Sequence, residues 1–452
     1  MNRGWRFAWR SLRRNRRRNL ATALAIALGY AGLVLLGGYA VRIERFLRTS
    51  AVYLQHHGHV TVYRDQGLER VWVRPSHYSL GPDAQSAVVS ALAADPRVEF
   101  TGRYLRGQGL AGNGCRTSPF MATGVDVATE ARILAHREVR QHVAAFAQPT
   151  RGRTLADARD VEGAIGVSMG LARLLQKTKV HDDLPPAVTF VVPACGTPAA
   201  DAQIAADANI QLAGLAYDGG LSAVDGEIVS MFHTASADAE DQTIVAPLET
   251  LQRLYATDAV TYVAGWLHDA ADAAAVASDL RARLGAHGIA ASVYTYEDYD
   301  VNPYYVGSMQ FIASLVTFIG VLVVAVVVLG VFNATTLTVF ERTREIGTFR
   351  ALGYRRRQVA GLFVREVLLL SVTSMAAGAA LAYTIAFLVN AADIRFTPPG
   401  VPGSIQLLIT PNATVCLVVA LAMLPLSLLA TWLVIRRRVR VGTADLLTAT
   451  TA

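Results

Sequence analysis

The chain has 452 residues, 52% hydrophobic and 17% charged, with 42 Lys and Arg against 35 Asp and Glu for a formal net charge of +7. A soluble chain of that length divides into about three domains, but here the apolar share is gathered into long uncharged runs that a soluble core does not need. The basic excess lies beside those runs and forms no stripe interleaved with aromatics, which argues against nucleic acid as a partner.

The first 19 residues place Trp5, Ala8, Trp9 and Leu12 at i, i+3, i+4 and i+7, with Arg3, Arg6, Arg10, Arg13, Arg14 and Arg17 around the remainder. This pattern predicts a basic amphipathic helix lying in the membrane interface. Trp5 and Trp9 would sit among the headgroups, and Arg6, Arg10 and Arg13 would face anionic lipid, with a partner contact as an addition. Residues 20–41, "LATALAIALGYAGLVLLGGYAV", carry no charge and are about as long as a bilayer core is thick. The following "GGYAVRIERF" offers no clear cleavage site, so the run is expected to be a retained span and not a signal peptide.

Residues 42–308 are long enough for one large domain or two small ones. "GHVTVYR" alternates as a strand does, and "AQSAVVSALAAD" has helical periodicity before a second strand near 98–107. Farther on, "GEIVSMFHT", "DQTIVAPLETLQRLY", "AVTYVAGWLH" and "DAAAVASDLRARLGAHG" read strand, helix, strand, helix, which together predict an α+β or α/β domain. The stretch of about 150–220 has weaker periodicity and is expected to be a separate inserted lobe. Cys115 and Cys195 are the cysteines outside the apolar runs. An oxidising compartment would permit a bridge between them, and two unpaired thiols too far apart to join is the other reading.

Within this region, "GVSMG" at 166–170 fits the nucleophile-elbow pattern around Ser168, but too little chain follows before the next span to complete a hydrolase sheet with its acid and His. A tight strand-to-helix turn is the expected reading. His56, His57 and His59 lack the helical spacing or neighbouring cysteine of a metal site and are expected to be solvated or at an interface. The acidic "YEDYD" at 296–300 lacks the glycine and terminal Glu of a calcium loop and is expected to be a hydrated junction.

Three more apolar runs follow, at 309–339, 367–390 and 411–435. Eight arginines precede the first run, seven lie between Glu341 and Arg365, and four follow the last, while the loop 391–410 holds only Asp393 and Arg395 as charged residues. Because Lys and Arg in short flanking loops stay cytoplasmic, both termini, including the tail 436–452, and the stretch 340–366 are expected inside. The 42–308 domain and the 391–410 loop are then expected outside. The predicted fold is thus a membrane protein of four transmembrane helices, one plus three, with a large α+β extracytoplasmic domain between the first and second. None of the runs has a charged residue in its interior, which disfavours an ion or proton pathway. Small residues in "SMAAGAALA" suit close helix packing, and Pro425 is expected to kink the fourth helix.

The stretch "FERTREIGTFRALGYRRRQVAGLFVRE", 340–366, holds Glu341, Arg342, Arg344, Glu345 and Arg350 around a narrow apolar edge of Ile346, Phe349 and Leu352. Gly353 ends that helix and "RRRQVAGLFVRE" starts another. A positive-inside loop would explain the arginines but neither the paired glutamates nor the placed glycines. The two lysines of the chain, Lys177 and Lys179, do not follow glycine, so the phosphate-cradling loop of an ATPase is missing.

With "ERTREIGTFRALGYRRRQV" followed by a Glu-bearing apolar run, the sequence resembles the FtsX-like permeases, the membrane subunits of the MacB and lipoprotein-releasing group of ABC transporters. "GHVTVY" and "DQTIVAPLETLQRLY" are similar to the lipoprotein-releasing subunits in particular. The resemblance implies a non-catalytic permease subunit of the bacterial inner membrane, with a periplasmic domain of porter-like core and inserted lobe. It further implies a second permease subunit, the same or homologous, and a separate cytoplasmic ABC ATPase that uses ATP and Mg, with no cofactor bound by this chain. Glu341, Arg342, Arg344, Glu345, Ile346, Gly347, Arg350, Leu352 and Gly353 would form the element coupling that ATPase to motion of the outer domain, a mechanism termed mechanotransmission. The implied substrate is a lipoprotein or other lipophilic envelope molecule. Two alternatives are an efflux permease acting with a periplasmic adaptor and a scaffold that activates a cell-wall hydrolase.

Overall fold

The computed structural model describes residues 16–184, 194–234, 236–397 and 404–438. In chain order the main elements are α1 (Arg16–Thr49), β1 (Val60–Arg64), α2 (Pro82–Ala93), β2 (Val98–Gly112), β3 (Thr117–Val125), α3 (Val127–Ala135), β4 (Arg151–Gly152), β5 (Ala164–Ser168), β6 (Asn209–Leu215), β7 (Leu221–Phe232) and β8 (Thr243–Pro247). They continue with α4 (Leu248–Tyr255), β9 (Tyr262–Leu267), α5 (Ala273–Ala286), β10 (Ala291–Thr295), α6 (Pro303–Glu341), α7 (Thr343–Ala351), α8 (Arg356–Ala391) and α9 (Ala413–Arg438). The described residues form two compact units, one from 16–44, 309–394 and 406–438, the other from 45–184, 194–234, 236–308, 395–397 and 404–405.

In the first unit, four helices are long and apolar enough to cross a membrane: Asn19–Leu54, Pro303–Glu341, Arg356–Ala391 and Ala413–Arg437. The first is longer than its uncharged run, because no Gly or Pro interrupts residues 42–54 and the helix continues through Arg42, Arg45 and Arg48 into a short π-helical turn. Ile26, Tyr30 and Val34 of α1, Val327 and Val331 of α6, Met375 and Ala382 of α8 and Met423 of α9 form the shared core. The small residues of α8 permit that packing: a Cβ at Gly378 would stand 2.5 Å from the Ala27 carbonyl oxygen and 3.1 Å from its Cα. Helices pack this closely where a side chain is missing at the contact. Tyr30 adds a hydrogen bond, donating to the Cys416 carbonyl at 2.8 Å. The outer faces expose Phe311, Phe318, Phe332, Phe387 and Leu421, a larger apolar surface than water tolerates and the surface expected of helices solvated by lipid. Pro425 lies inside α9, which runs on past it.

The second unit is an α+β domain built on one ten-stranded mixed sheet, in the order β10-β1-β9-β2-β3-β8-β5-β7-β4, with β6 paired to both β2 and β7. Strand β2 is long enough to serve two neighbourhoods: residues 98–104 pair with β9, residues 104–112 with β3 and 109–112 with β6. Strands β3 and β8 are parallel, as are β5 and β7, and β5 pairs antiparallel with β8. Together with the β6·β7 ladder, these pairings close β2, β3, β8, β5, β7 and β6 into a ring.

This ring corrects the expectation of a separate lobe at about 150–220, because β5 and β6 from that stretch are two of its six strands. Their partners lie far along the chain, so nothing in their local pattern could reveal the pairing. The Cys115–Cys195 bridge is present, with Cα atoms 5.4 Å apart, and ties the β2–β3 turn to that same stretch. Ser168 is fully buried at the β5 end, where its hydroxyl accepts from the Thr243 backbone N–H at 3.2 Å, so the 166–170 stretch is a structural turn.

The three histidines also differ from expectation. His56, His57 and His59 are all buried. His59 accepts the Leu267 backbone N–H on Nδ1 at 2.9 Å, and burial, with Arg48 and His136 nearby, pushes its pKa down to about 4. Among the described residues, no group of His, Cys, Asp and Glu is arranged to hold a metal ion.

Candidate functional site: the charged element between the second and third long helices

The element begins where α6 ends. Arg342 leaves helical geometry at φ −100°, ψ 18°, and α7 starts on the next residue. Thr343 secures the break by donating its hydroxyl to the carbonyls of Val339 and Phe340. Arg342 itself is buried and donates from Nη1 to Oε2 of Glu366 on α8 at 3.1 Å, with Glu345 at 3.8 Å from Nε. Both side chains of the Arg342–Glu366 pair are about nine-tenths buried, at 9% and 10% exposure. Removing one member of such a pair strands the other charge in a desolvated site, so the pair fixes α7 relative to α8 even if its net contribution to stability is small.

The inner face of α7 is apolar. Ile346 is fully buried and packs with Val339, Val359, Phe363, Val434 and Ile435, with Phe349 and Ala360 against the cluster. Gly347 is buried on the same face. Spacing explains the assignment: 346 and 349 share a face of α7 at helical period, while Arg344 and Thr348 fall opposite and are exposed.

The C-terminal end of α7 is a tightly closed turn. Gly353 has φ +89°, a conformation that costs a side-chain-bearing residue free energy. Its N–H bonds the Arg350 carbonyl at 3.1 Å and the Tyr354 N–H bonds the Phe349 carbonyl at 3.1 Å. The rings of Phe349 and Tyr354 meet edge to face at 5.5 Å. This is the paired bonding and apolar contact that stop a helix at a left-handed glycine. Helix α8 then starts with the Arg355 N–H donated to the Gln358 side-chain oxygen at 2.8 Å.

The outcome is a fixed inner face and an open tip. Residues 351–358 are all exposed, and Leu352 is 71% accessible despite being one of the larger apolar side chains. Of the nine residues singled out from the sequence, Arg342, Ile346 and Gly347 are buried anchors. Glu341, Arg344, Leu352 and Gly353 are exposed, and Glu345 and Arg350 are intermediate. Arg350 keeps its Nε buried without a hydrogen-bond partner among the described residues. Sequence reasoning missed Glu366 as the partner of Arg342 and Tyr354 as part of the turn. A charged residue at the edge of an apolar run was the available signal for Glu366. Trp5, Arg6, Trp9, Arg10 and Arg13 lie outside the described residues.

Residues 317–442, from within α6 to beyond α9, match the family described as FtsX-like permease C-terminal. The chain is 27% identical over 161 residues to the macrolide export ATP-binding/permease protein MacB of Bdellovibrio bacteriovorus, covering 34% of this chain and 24% of that protein. It is 27% identical over 105 residues to the ABC transporter permease YtrF of Bacillus subtilis, 20% of this chain and 24% of that one. A third relative, the pyoverdine export ATP-binding/permease protein PvdT of Pseudomonas savastanoi pv. phaseolicola, is 40% identical over 78 residues, 17% of this chain and 12% of that one. The chain thus spans about a quarter or less of the length of these curated relatives. Among solved structures, the extracellular domain of the ABC-type transporter YknZ from Gram-positive bacteria aligns at TM-score 0.31 and 12% identity, over 52% of this chain and 99% of that one. The periplasmic region of MacB from Actinobacillus actinomycetemcomitans aligns at TM-score 0.31 and 9% identity, over 53% and 88%.

Proposed function

We propose that this chain, whose residues 317–442 match the FtsX-like permease family, is an ABC transporter permease of the FtsX and MacB type and the non-catalytic membrane subunit of a mechanotransmitting transporter. A separate cytoplasmic ABC ATPase, using ATP and Mg, docks on the tip of the α7–α8 element, and its cycle is passed on to the α+β domain. The observation that carries this reading is the mechanical contrast within the element. The exposed Leu352 tip is held by a bonded glycine turn on one side and by Ile346 and the Arg342–Glu366 pair on the other. A partner that grips the tip therefore moves two long helices, with little motion lost to side-chain rearrangement.

In this reading the arginine-flanked ends of the long helices lie in the cytoplasm and the 45–308 domain lies in the periplasm, with the chain in the inner membrane and its amino-terminal arginines and tryptophans against lipid. The exposed apolar faces of α6 and α9 support a second permease subunit as well as lipid contact. The substrate class is a lipoprotein or other lipophilic envelope molecule. Export by way of a periplasmic adaptor is the second reading, and the similarity to the macrolide export protein MacB and the pyoverdine export protein PvdT favours it.

The test is purification of the chain from its native membrane in mild detergent, with identification of what co-elutes, repeated for Leu352→Glu and for the charge reversal Glu345→Arg with Arg350→Glu. An ABC ATPase is expected with the natural chain and is expected to fall at least about tenfold in yield with Leu352→Glu, as for loss of a central interface anchor. Undiminished ATPase recovery and transport in both variants sinks the docking assignment.

A further inference from the structure

A cavity of about 440 Å³ lies within the α+β domain, inside the size range of about 300 to 1,000 Å³ typical of small-molecule sites. The alternation of the ring strands creates it. Arg106 of β2, Thr123 of β3 and Val245 of β8 line the cavity, whereas the neighbouring positions Gly107 and Gly124 face Tyr255 and Leu251 of α4 on the opposite side of the sheet. The apolar wall is formed by Leu54, Met121, Leu134, Phe146, Phe232 and Val245.

One end of this wall carries an under-used cation. The Arg106 guanidinium has five N–H donors. Its protein contacts are the Gln55 carbonyl and the His57 Nε2, each at a long 3.4 Å, and the face of Tyr262 at 5.1 Å. The carboxylate on the same cavity, Glu130, is engaged by His56 at 2.8 Å, and among the described residues no carboxylate comes within ion-pair distance of Arg106. Accepting from Arg106 at Nε2 puts the His57 proton on Nδ1, which is buried and has no partner among the described residues. Burial beside Arg106 and His56 pushes the His57 pKa well below its ordinary range, so this ring is uncharged at neutral pH. Arg106 is half-buried on the cavity wall, and a guanidinium there is suited to bidentate binding of a carboxylate or phosphate.

We propose that this cavity binds a single-chain amphiphile, its aliphatic tail against the Met121, Phe146 and Phe232 wall and its anionic head on Arg106 and His57. The lining is apolar over most of the wall, with Arg106 at one end, and this favours a ligand with an aliphatic tail and an anionic head. The head group is a carboxylate, as in a fatty acid, or a phosphate, as in a lysophosphatidate. The binding site stands apart from any docking at the α7–α8 tip, and its test uses no ATPase.

The test reconstitutes the full chain in phosphatidylcholine nanodiscs at pH 8 with diazirine-bearing palmitate, and with the matching diazirine-bearing hexadecanol as the uncharged control. Palmitate is expected to label peptides containing Met121, Phe146 or Phe232. Arg106→Gln is expected to reduce palmitate labelling there by at least about tenfold, the factor expected for loss of a charged hydrogen-bond partner, and to leave hexadecanol labelling unchanged. Thr123→Phe, which fills the cavity and keeps Arg106, is expected to reduce both. An unaltered melting temperature in each variant shows that the fold is retained. Displacement by lysophosphatidate supports the proposal with a phosphate head, and failure of that displacement supports it with a carboxylate head. Labelling confined to the long helices, or palmitate labelling that is equal in the natural chain and a folded Arg106→Gln variant, overturns the proposal.

Discussion

Arg342 is buried and Arg106 is half-buried on a cavity wall, and they are satisfied in opposite ways. Arg342 has a buried carboxylate from the next long helix at 3.1 Å, with a second at 3.8 Å. Arg106 has a carbonyl, a neutral ring nitrogen and an aromatic face, and the nearby Glu130 is committed to His56. A buried charge with its counter-ion in the same chain serves geometry, because it can be satisfied in only one arrangement. A half-buried charge on a cavity wall without one leaves donors for a ligand to use. The difference assigns the first arginine to holding an element in place and the second to recognition.

Mutation separates the two roles most sharply at Glu366. Glu366→Ala removes the carboxylate at 3.1 Å from Arg342 and is expected to destabilise the helical unit by about 3 kcal/mol, the low end of the range for a broken buried pair because Glu345 remains close. Thermal unfolding in nanodiscs measures the loss, and hydrogen exchange is expected to quicken selectively in residues 343–351. Unchanged exchange there would remove the positioning role.

The second expected effect is acid sensitivity of the α+β domain. His59 has a pKa of about 4 in the folded chain against about 6.5 in an unfolded one. The unfolded state therefore takes up the proton first, so the stabilisation is fully present above pH 6.5 and is lost as pH falls from 6.5 through 4. At about 1.4 kcal/mol per pKa unit, the loss is at most about 3 kcal/mol. Thermal melts of the full chain between pH 7 and pH 4.5 should show it, and His59→Gln, which keeps an acceptor for the Leu267 N–H, should flatten the dependence.

The smallest expected effect completes the comparison. Arg106→Met removes a cation that lacks a counter-ion, so stability is expected to stay within about 1 kcal/mol of the natural chain or to rise, measured by the same melts. A loss as large as that of Glu366→Ala would mean that Arg106 is structural, and the contrast between the two arginines would collapse.

Legibility in the sequence varied with the range of the interaction. The strands at 60–64, 98–112 and 262–267 and the helices at 82–93 and 273–286 fall where alternation or helical period placed them. The "AIGVS" of β5 is buried along its whole length, so it had no alternation to read. In the charged element, the Ile346 and Phe349 edge and the Gly353 stop are local features and could be read directly. The carboxylate that neutralises Arg342 lies 24 residues away on another helix, and no spacing rule reaches that far.

By itself the sequence determined the four apolar helices, the arginine clusters at their ends, the helix–glycine–helix form of residues 343–391 and the α+β character of the intervening domain. All of these depend on length, hydropathy or neighbours within one or two turns. Only the tertiary structure decided that β5 and β6 complete a strand ring, that Cys115 meets Cys195, that three histidines are buried, and which of the two arginines has a carboxylate. Those outcomes depend on which distant backbone edges pair, and ring closure sets at once which side chains leave water and which partners they find there.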